Sequence, residues 1–262
     1  MHVRLLLEIA LSYFLVKRTS DGLDPKIAVN MLNDFFTSVV DATLSESGIL
    51  DKYLGDAALS VFGLPIADKE HSTRAVSSAL RMRSGLDALN AKQRRLGRAP
   101  LRIGITIATG EVLSGNIGSL KRLEYTVVGD NVKLAQSICA MSKDYGVYIL
   151  IDEVTYKQVK DVFHTREIDR INVLKYRNFP IYEAIDFAKE ELAIEIIEAH
   201  ESYALGLEQY RKCNWQAAIQ HFIKAIQMTD DEPSKHMIER VRLIMNKQVV
   251  IREDWDGSWP TN

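Results

Sequence analysis

Hydrophobic positions recur along the chain at two periods, and the switches between them mark out the elements. From Asp24-Pro25 to about Ser47, the residues Ile27, Met31, Leu32, Phe35, Phe36, Val39 and Val40 fall at helical spacing, and Gly48 ends the pattern. Ile49 to Phe62 holds two short apolar runs around Gly55-Asp56, which predicts a β-hairpin. Ser72 to Leu96 puts Ala75, Ala79, Leu80, Met82 and Leu86 on one face of a second helix. After Pro100, Leu101 to Ala108 alternates as a strand, Glu111 to Ile117 reads as another, Gly118 to Lys121 as a loop and Tyr125 to Val128 as a short strand. Asn131 to Ser142 predicts a third helix, Val147 to Ile151 a strand and Val154 to Val162 a short helix. Strands at Phe163 to Asp169 and Pro180 to Ile185 follow. This mixed order predicts an α+β sandwich with helices packed on a central sheet.

The two ends of the chain add detail. Val3 to Val16 is an apolar run of 14 residues, too short to span a bilayer and interrupted by Arg4 and Glu8. Lys17 and Arg18 follow it rather than a small-residue cleavage site, so it reads as a core segment. Composition shifts near Phe187, and Ala188 to Met245 is helical throughout. There Leu205, Gly206, Ala218, Phe222 and Ala225 fall at the intervals of a tetratricopeptide-type helical hairpin, where small residues let two antiparallel helices approach. The expected division is a first domain over 1–187 and a helical tail over 188–262. One such repeat cannot bury its own face, so the tail is expected to pack on the first domain or on a partner. Its end carries Trp255 and Trp259, expected to anchor it.

Composition narrows the function. Lys plus Arg is 33 against 35 Asp plus Glu, a net charge of −2 that gives no electrostatic footprint for nucleic acid. Cys139 and Cys213 are far apart, which argues against a disulfide framework and for a reducing, cytoplasmic setting. No HExxH pair, Walker loop, GxGxxG after a strand or GxSxG elbow occurs. What remains is Asp56 at the expected hairpin turn, either a turn former or a hard-cation ligand, with Lys52 four residues before it. Glycines at the ends of Ile103–Gly110, Gly115–Gly118 and Glu124–Asp130 offer turns or places where backbone approaches a ligand.

Taken together these segments carry a resemblance. IGITIATGEVLSGNIGSLKRLEYTVVGDNVKLAQ (Ile103 to Gln136) and LDKYLGDAALSVFGLP (Leu50 to Pro65) resemble the class III adenylate/guanylate cyclase catalytic domain. The resemblance runs from Ile49 to Glu183, and the tail resembles the helical segment that follows this domain in many bacterial members. It implies a ferredoxin-like cyclase sandwich with an α-helical C-terminal hairpin. It also implies two subunits paired head to tail, with composite sites at their interface. Two Mg²⁺ or Mn²⁺ ions on two Asp side chains would activate the ribose 3′-hydroxyl and clamp the triphosphate. An Asn and an Arg would position the ribose and stabilise the transition state, while a Lys with a Thr or Asp would read the adenine.

Carried over by position, Asp56 matches the second metal-binding aspartate, Lys52 the adenine-reading lysine and Thr126 its partner. Lys175-Tyr176-Arg177 resembles a Lys-Gly-Lys segment near the domain's end, which makes Arg177 a candidate for the triphosphate. Three departures accompany these matches. In YTVVGDNVKLAQSI, Lys133 stands at the transition-state Asn position and Ser137 at the Arg position. The first metal aspartate is either replaced by Glu8, in Glu8-Ile9, or, if Thr19 is the motif threonine, its position falls on Phe14 with no acid. The implied function is an adenylate cyclase homology domain in cyclic-nucleotide signalling, converting ATP to 3′,5′-cyclic AMP and pyrophosphate if active, weak or in need of a complementing subunit. The alternative is a catalytically silent nucleotide-binding or dimerisation module that regulates a partner. Either is expected as a homodimer or a heterodimer with another cyclase domain, with no nucleic acid and no membrane segment.

Overall fold

The computed structural model describes residues 5–17, 25–119, 121–251 and 255–259; side chains of 5–17, Pro25 and Ala28 lie outside that description. Contacts divide the chain into two compact units, Met1–Ser142 with Tyr148–Lys160, and Lys143–Val147 with Asp161–Asn262. The fold class is α+β, as the alternation of elements implies.

The first unit holds β1 (Leu5–Lys17), α1 (Pro25–Ser45), β2 (Ile49–Leu54), β3 (Ala57–Phe62), α2 (His71–Arg95), β4 (Arg102–Ser119), β5 (Arg122–Val128), α3 (Asp130–Tyr145) up to Ser142, β6 (Ile149–Asp152) and α4 (Glu153–Val159). Its strand order is β2-β3-β1-β4-β6, with β5 paired to the outer part of β4. The N-terminal apolar run is β1, hydrogen-bonded to β3 on one side and β4 on the other. The α2 face read from the sequence is the buried one: Ala75, Ala79, Leu80, Met82 and Leu86 are all in the core. Every residue of β3 is buried, which suits a strand covered on both faces.

Two readings change here. Leu101–Ala108 and Glu111–Ile117 are one continuous strand, because Thr109 and Gly110 stay in the ladder opposite Ala10 and Ile9. Ser119 also pairs with Arg122, so the loop expected over Gly118–Lys121 is shorter than its glycine implied.

Thr109 lies at the centre of a buried polar network. Its hydroxyl is 2.8 Å from both Ser72 Oγ and Thr155 Oγ1, and Ser72 Oγ donates to Gln158 Oε1 at 2.6 Å. Asp152 caps α4: one carboxylate oxygen accepts from Thr155 N at 2.8 Å and from Thr109 N at 3.3 Å. Burial outweighs these bonds and pushes the Asp152 carboxyl up to about 6. Between its ordinary value and about 6 the native state therefore keeps a proton that the unfolded chain has lost. Stability from this group is present at pH 4 and lost as pH rises through 6. Asp152→Asn keeps a capping oxygen without the charge. Urea denaturation followed by circular dichroism should show the variant gaining on the wild type between pH 4 and pH 7. A wild-type–variant difference that does not change with pH would contradict this origin.

The second unit holds β7 (Phe163–Val173), β8 (Tyr176–Phe187), α5 (Ile194–Arg211), α6 (Trp215–Thr229) and α7 (Glu232–Met245). β7 and β8 pair antiparallel and both run longer than their apolar stretches predicted. α5 and α6 meet at Gly206, where a Cβ would stand 2.5 Å from the Phe222 ring, so only glycine permits the approach. Ala218, Phe222 and Ala225 are fully buried as the spacing required, whereas Leu205 is exposed and Leu207 takes the core position. Trp255 packs edge-on against Tyr210, and Arg240 lies over the Trp259 ring at 4.7 Å, so both tryptophans fix the tail.

Asp169 is buried in this unit with three donors: Arg240 Nη1, Tyr145 Oη at 2.5 Å and Arg170 N at 2.7 Å. Removing the cation leaves a buried charge with only neutral donors. Arg240→Met should cost about 3–5 kcal/mol in denaturant unfolding. Adding Asp169→Asn should recover part of the loss, and equal stability of Arg240→Met and wild type would contradict the assignment.

Candidate nucleotide-binding site

The site is built on the β2–β3 hairpin. Gly55 holds φ at +70°, the left-handed conformation that the turn requires, and Asp56 follows it as a half-buried side chain. β2 departs from regular pairing one turn earlier. Leu50 pairs with Ser60 and Lys52 with Leu59, so Asp51 is the extra residue of a β-bulge. In a regular strand neighbouring side chains point to opposite faces. The bulge breaks that alternation, and Lys52 Nζ lies 3.5 Å from Asp51 Oδ2.

The same carboxylate oxygen accepts a 2.9 Å hydrogen bond from Thr126 Oγ1, on β5. Lys52 and Thr126, two candidates 74 positions apart in sequence, thus meet on one acid. The Asp51 side chain is 5% exposed and that of Lys52 33%, so the acid is sealed while the ammonium reaches solvent. Burial pushes the Asp51 carboxyl above its ordinary value; the Thr126 bond and the Lys52 charge pull it back, and nearby Glu124 adds to the rise. Asp51 has no motif of its own in the sequence. Its only signal was adjacency to Lys52, and strand alternation would have placed the two on opposite faces.

The remaining candidates are distributed less favourably. Lys133 is exposed in the first turn of α3, and Ser137, one turn on and half-buried, shares its face. Arg177 is exposed at the start of β8, in the second unit. Glu8 does not join Asp56. The register sets Leu15 opposite Ala57, beside the Asp56 turn, and Glu8 seven residues earlier in β1, opposite Glu111 of β4. At the rise of an extended strand that is about 23 Å along the sheet, so the replacement of the first metal aspartate by Glu8 is corrected. Among the described residues no group of three or more His, Cys, Asp and Glu side chains converges. Among the described side chains, Asp56 remains the candidate for one ligand of the two-carboxylate clamp. Also among the described residues, no helix is long and apolar enough to cross a membrane.

Residues 7–182 match the adenylate and guanylate cyclase catalytic domain. Adenylate cyclase 1 of Rhizobium meliloti (strain 1021) is 32% identical over 149 residues, covering 57% of this chain and 22% of that protein. The adenylate cyclase of Anabaena cylindrica is 30% identical over 172 residues, covering 63% and 33%. This chain thus spans a third or less of the length of those relatives. Among solved structures, the adenylyl cyclase CyaB from P. aeruginosa superposes with a TM-score of 0.66 at 27% identity, over 73% of this chain and 100% of that one. The guanylyl cyclase Cya2 gives 0.62 at 29% identity, over 71% and 95%. With the hairpin, the β4–β5 arm and the Lys52–Asp51–Thr126 cluster in place, the chain belongs to the adenylate and guanylate cyclase catalytic domain family, whose members act on nucleotides with Mg²⁺ or Mn²⁺ and work as dimers.

Proposed function

We propose that this chain is an adenine-nucleotide-binding cyclase domain of cyclic-nucleotide signalling, whose conversion of ATP to 3′,5′-cyclic AMP and pyrophosphate is weak unless a second cyclase domain completes the site. The observation that carries the reading is the meeting of Lys52 and Thr126 beside the Asp56 hairpin. Lys52 donates to a ring nitrogen of adenine, and Thr126 accepts from its amino group. Guanine presents a carbonyl where adenine presents the amine, so the pair favours ATP. An ion on Asp56 would supply charge neutralisation at the triphosphate. In the reaction the ribose 3′-oxygen bonds to the α-phosphorus as the bond to pyrophosphate breaks and the 3′-hydroxyl proton departs.

Lys133 and Ser137 set the expected rate. Lys133 offers an ammonium without the planar fork of a guanidinium, and Ser137 offers no charge. Losing one preorganised donor costs about 10²–10³ in turnover. This is also the observation that favours the second reading, a silent module that binds nucleotide and regulates its partner. Pairing through the first unit is supported by exposed apolar side chains on β2 and β5, among them Ile49, Leu54, Leu123 and Tyr125. A cytoplasmic location is supported by two free cysteines and by the nucleotide substrate.

Two measurements test the reading. Calorimetric titration should show ATP binding about 5- to 150-fold tighter than GTP, the worth of one buried hydrogen bond; equal or tighter GTP binding would count against it. With Mn²⁺ and ATP, the isolated chain should make cyclic AMP at least about 100-fold more slowly than a relative that keeps both groups. Lys133→Asn with Ser137→Arg should raise that output, and fast turnover by the unaltered chain would sink the assignment of those two positions.

A further inference from the structure

We propose that Asp51 is the positioning residue that sets the choice of purine, by taking the single hydroxyl proton of Thr126 and leaving its oxygen to the ligand as an acceptor only. The inference rests on the adenine-pocket reading above and deepens it.

A threonine hydroxyl has one proton and two lone pairs, and by itself reads an amine or a carbonyl equally well. Elsewhere in this fold that freedom persists: between Thr43 and Ser60 either oxygen can donate. Thr126 differs because its partner is a carboxylate, which when ionised has no proton to give. At 2.9 Å the donor can only be Thr126. Thr126 is 7% exposed and the Asp51 side chain 5%, so little water competes for that proton. Lys52 completes the arrangement. Its ammonium has three donors, and contact with Asp51 at 3.5 Å engages at most one, leaving others for a ligand.

The edge offered to a purine is then one donor, Lys52, beside one acceptor, Thr126. Adenine presents the complement, a bare N1 and a 6-amino group. Guanine and hypoxanthine present N1–H and a 6-carbonyl, mismatched at both points. A site built to pair with one pattern rejects the other because its buried groups would be left unpaired. The bulge at Asp51 is what permits this, since it lets the acid reach Lys52 and Thr126 at once.

The test is titration of the full chain with ATP, GTP and ITP in the presence of Mn²⁺, for wild type, Asp51→Asn and Asp51→Glu. An asparagine amide turned to donate frees the Thr126 proton. The ATP:ITP affinity ratio of Asp51→Asn should therefore fall about tenfold or more, while Asp51→Glu keeps more of the preference. A folded Asp51→Asn protein with the wild-type ratio overturns the role of Asp51 and leaves the adenine pocket standing. Wild-type protein that binds none of the three nucleotides overturns both. One measurement needs no variant: wild type should bind purine riboside triphosphate, which lacks any 6-substituent, more tightly than ITP. ITP binding as tight or tighter would mean the Thr126 hydroxyl is free to donate, and the proposal would fail even if Asp51→Asn did not fold.

Discussion

β4 is the strand on which the first unit depends. A buried strand must pair its backbone amides and carbonyls on both sides, because each group left alone costs about as much as a lost hydrogen bond. β4 meets that demand with three neighbours. β1 follows it antiparallel from Leu5–Ser114 to Lys17–Arg102, β6 joins it in parallel through Ile105–Ile107, and β5 returns along its outer end from Leu113 to Ser119. Asn90 of α2 fixes where it starts, since its amide donates to Leu101 O and accepts from Leu101 N. With β4 fixed, the register of β1 fixes β3, and β3 fixes the hairpin that carries Lys52 and Asp56. β5, paired to the outer part of β4, brings Thr126 to Asp51 of that hairpin.

Each unit also carries buried polar groups that specify its packing. In the first, Ser72, Thr109, Asp152, Thr155 and Gln158 share bonds between helices and sheet. In the second, Asp169 gathers Arg240 and Tyr145, while Arg166 spans Glu183 and Asp231. Such groups add little net stability, but they penalise any arrangement that leaves one of them unpaired. Asp51 belongs to the same class of interaction turned outward. Its bond to Thr126 holds two strands together and, in the proposed adenine pocket, sets which way a proton points.

The site is uneven in a chemically informative way. In the proposed site the base-facing side has charge, burial and a committed hydrogen-bond pattern. The side proposed for transition-state contacts has an exposed lysine and a half-buried serine on α3 where an amide and a guanidinium would serve the chemistry. Binding a nucleotide and accelerating its cyclisation draw on different groups, because only interactions that strengthen in the transition state raise turnover. A chain can therefore keep selectivity for a nucleotide while losing rate on it.

Much of this was legible in the residues. Helical periodicity located α1, α2 and α3, and the Gly55-Asp56 break located the hairpin, because burial of one face imposes a period that local sequence must obey. The spacing of Gly206, Ala218, Phe222 and Ala225 likewise announced the α5–α6 contact. Asp56 and Lys52 stood out in the residues themselves, as an acid at the hairpin turn and a lysine four positions before it, whereas their roles and Thr126 were legible by resemblance alone. Three features needed the tertiary structure. Thr109-Gly110 read as a break between strands, yet pairing with β1 carries the ladder straight through them, and pairing across strands is a long-range property. Glu8 looked like a substitute metal ligand because Glu8-Ile9 imitates an Asp-Ile pair, but register places it far from the Asp56 turn. Asp51 was hidden by strand alternation, which a single bulged residue reverses. Local sequence determines the period of an element; which residue of one strand faces which residue of another is decided only when the sheet closes around its core.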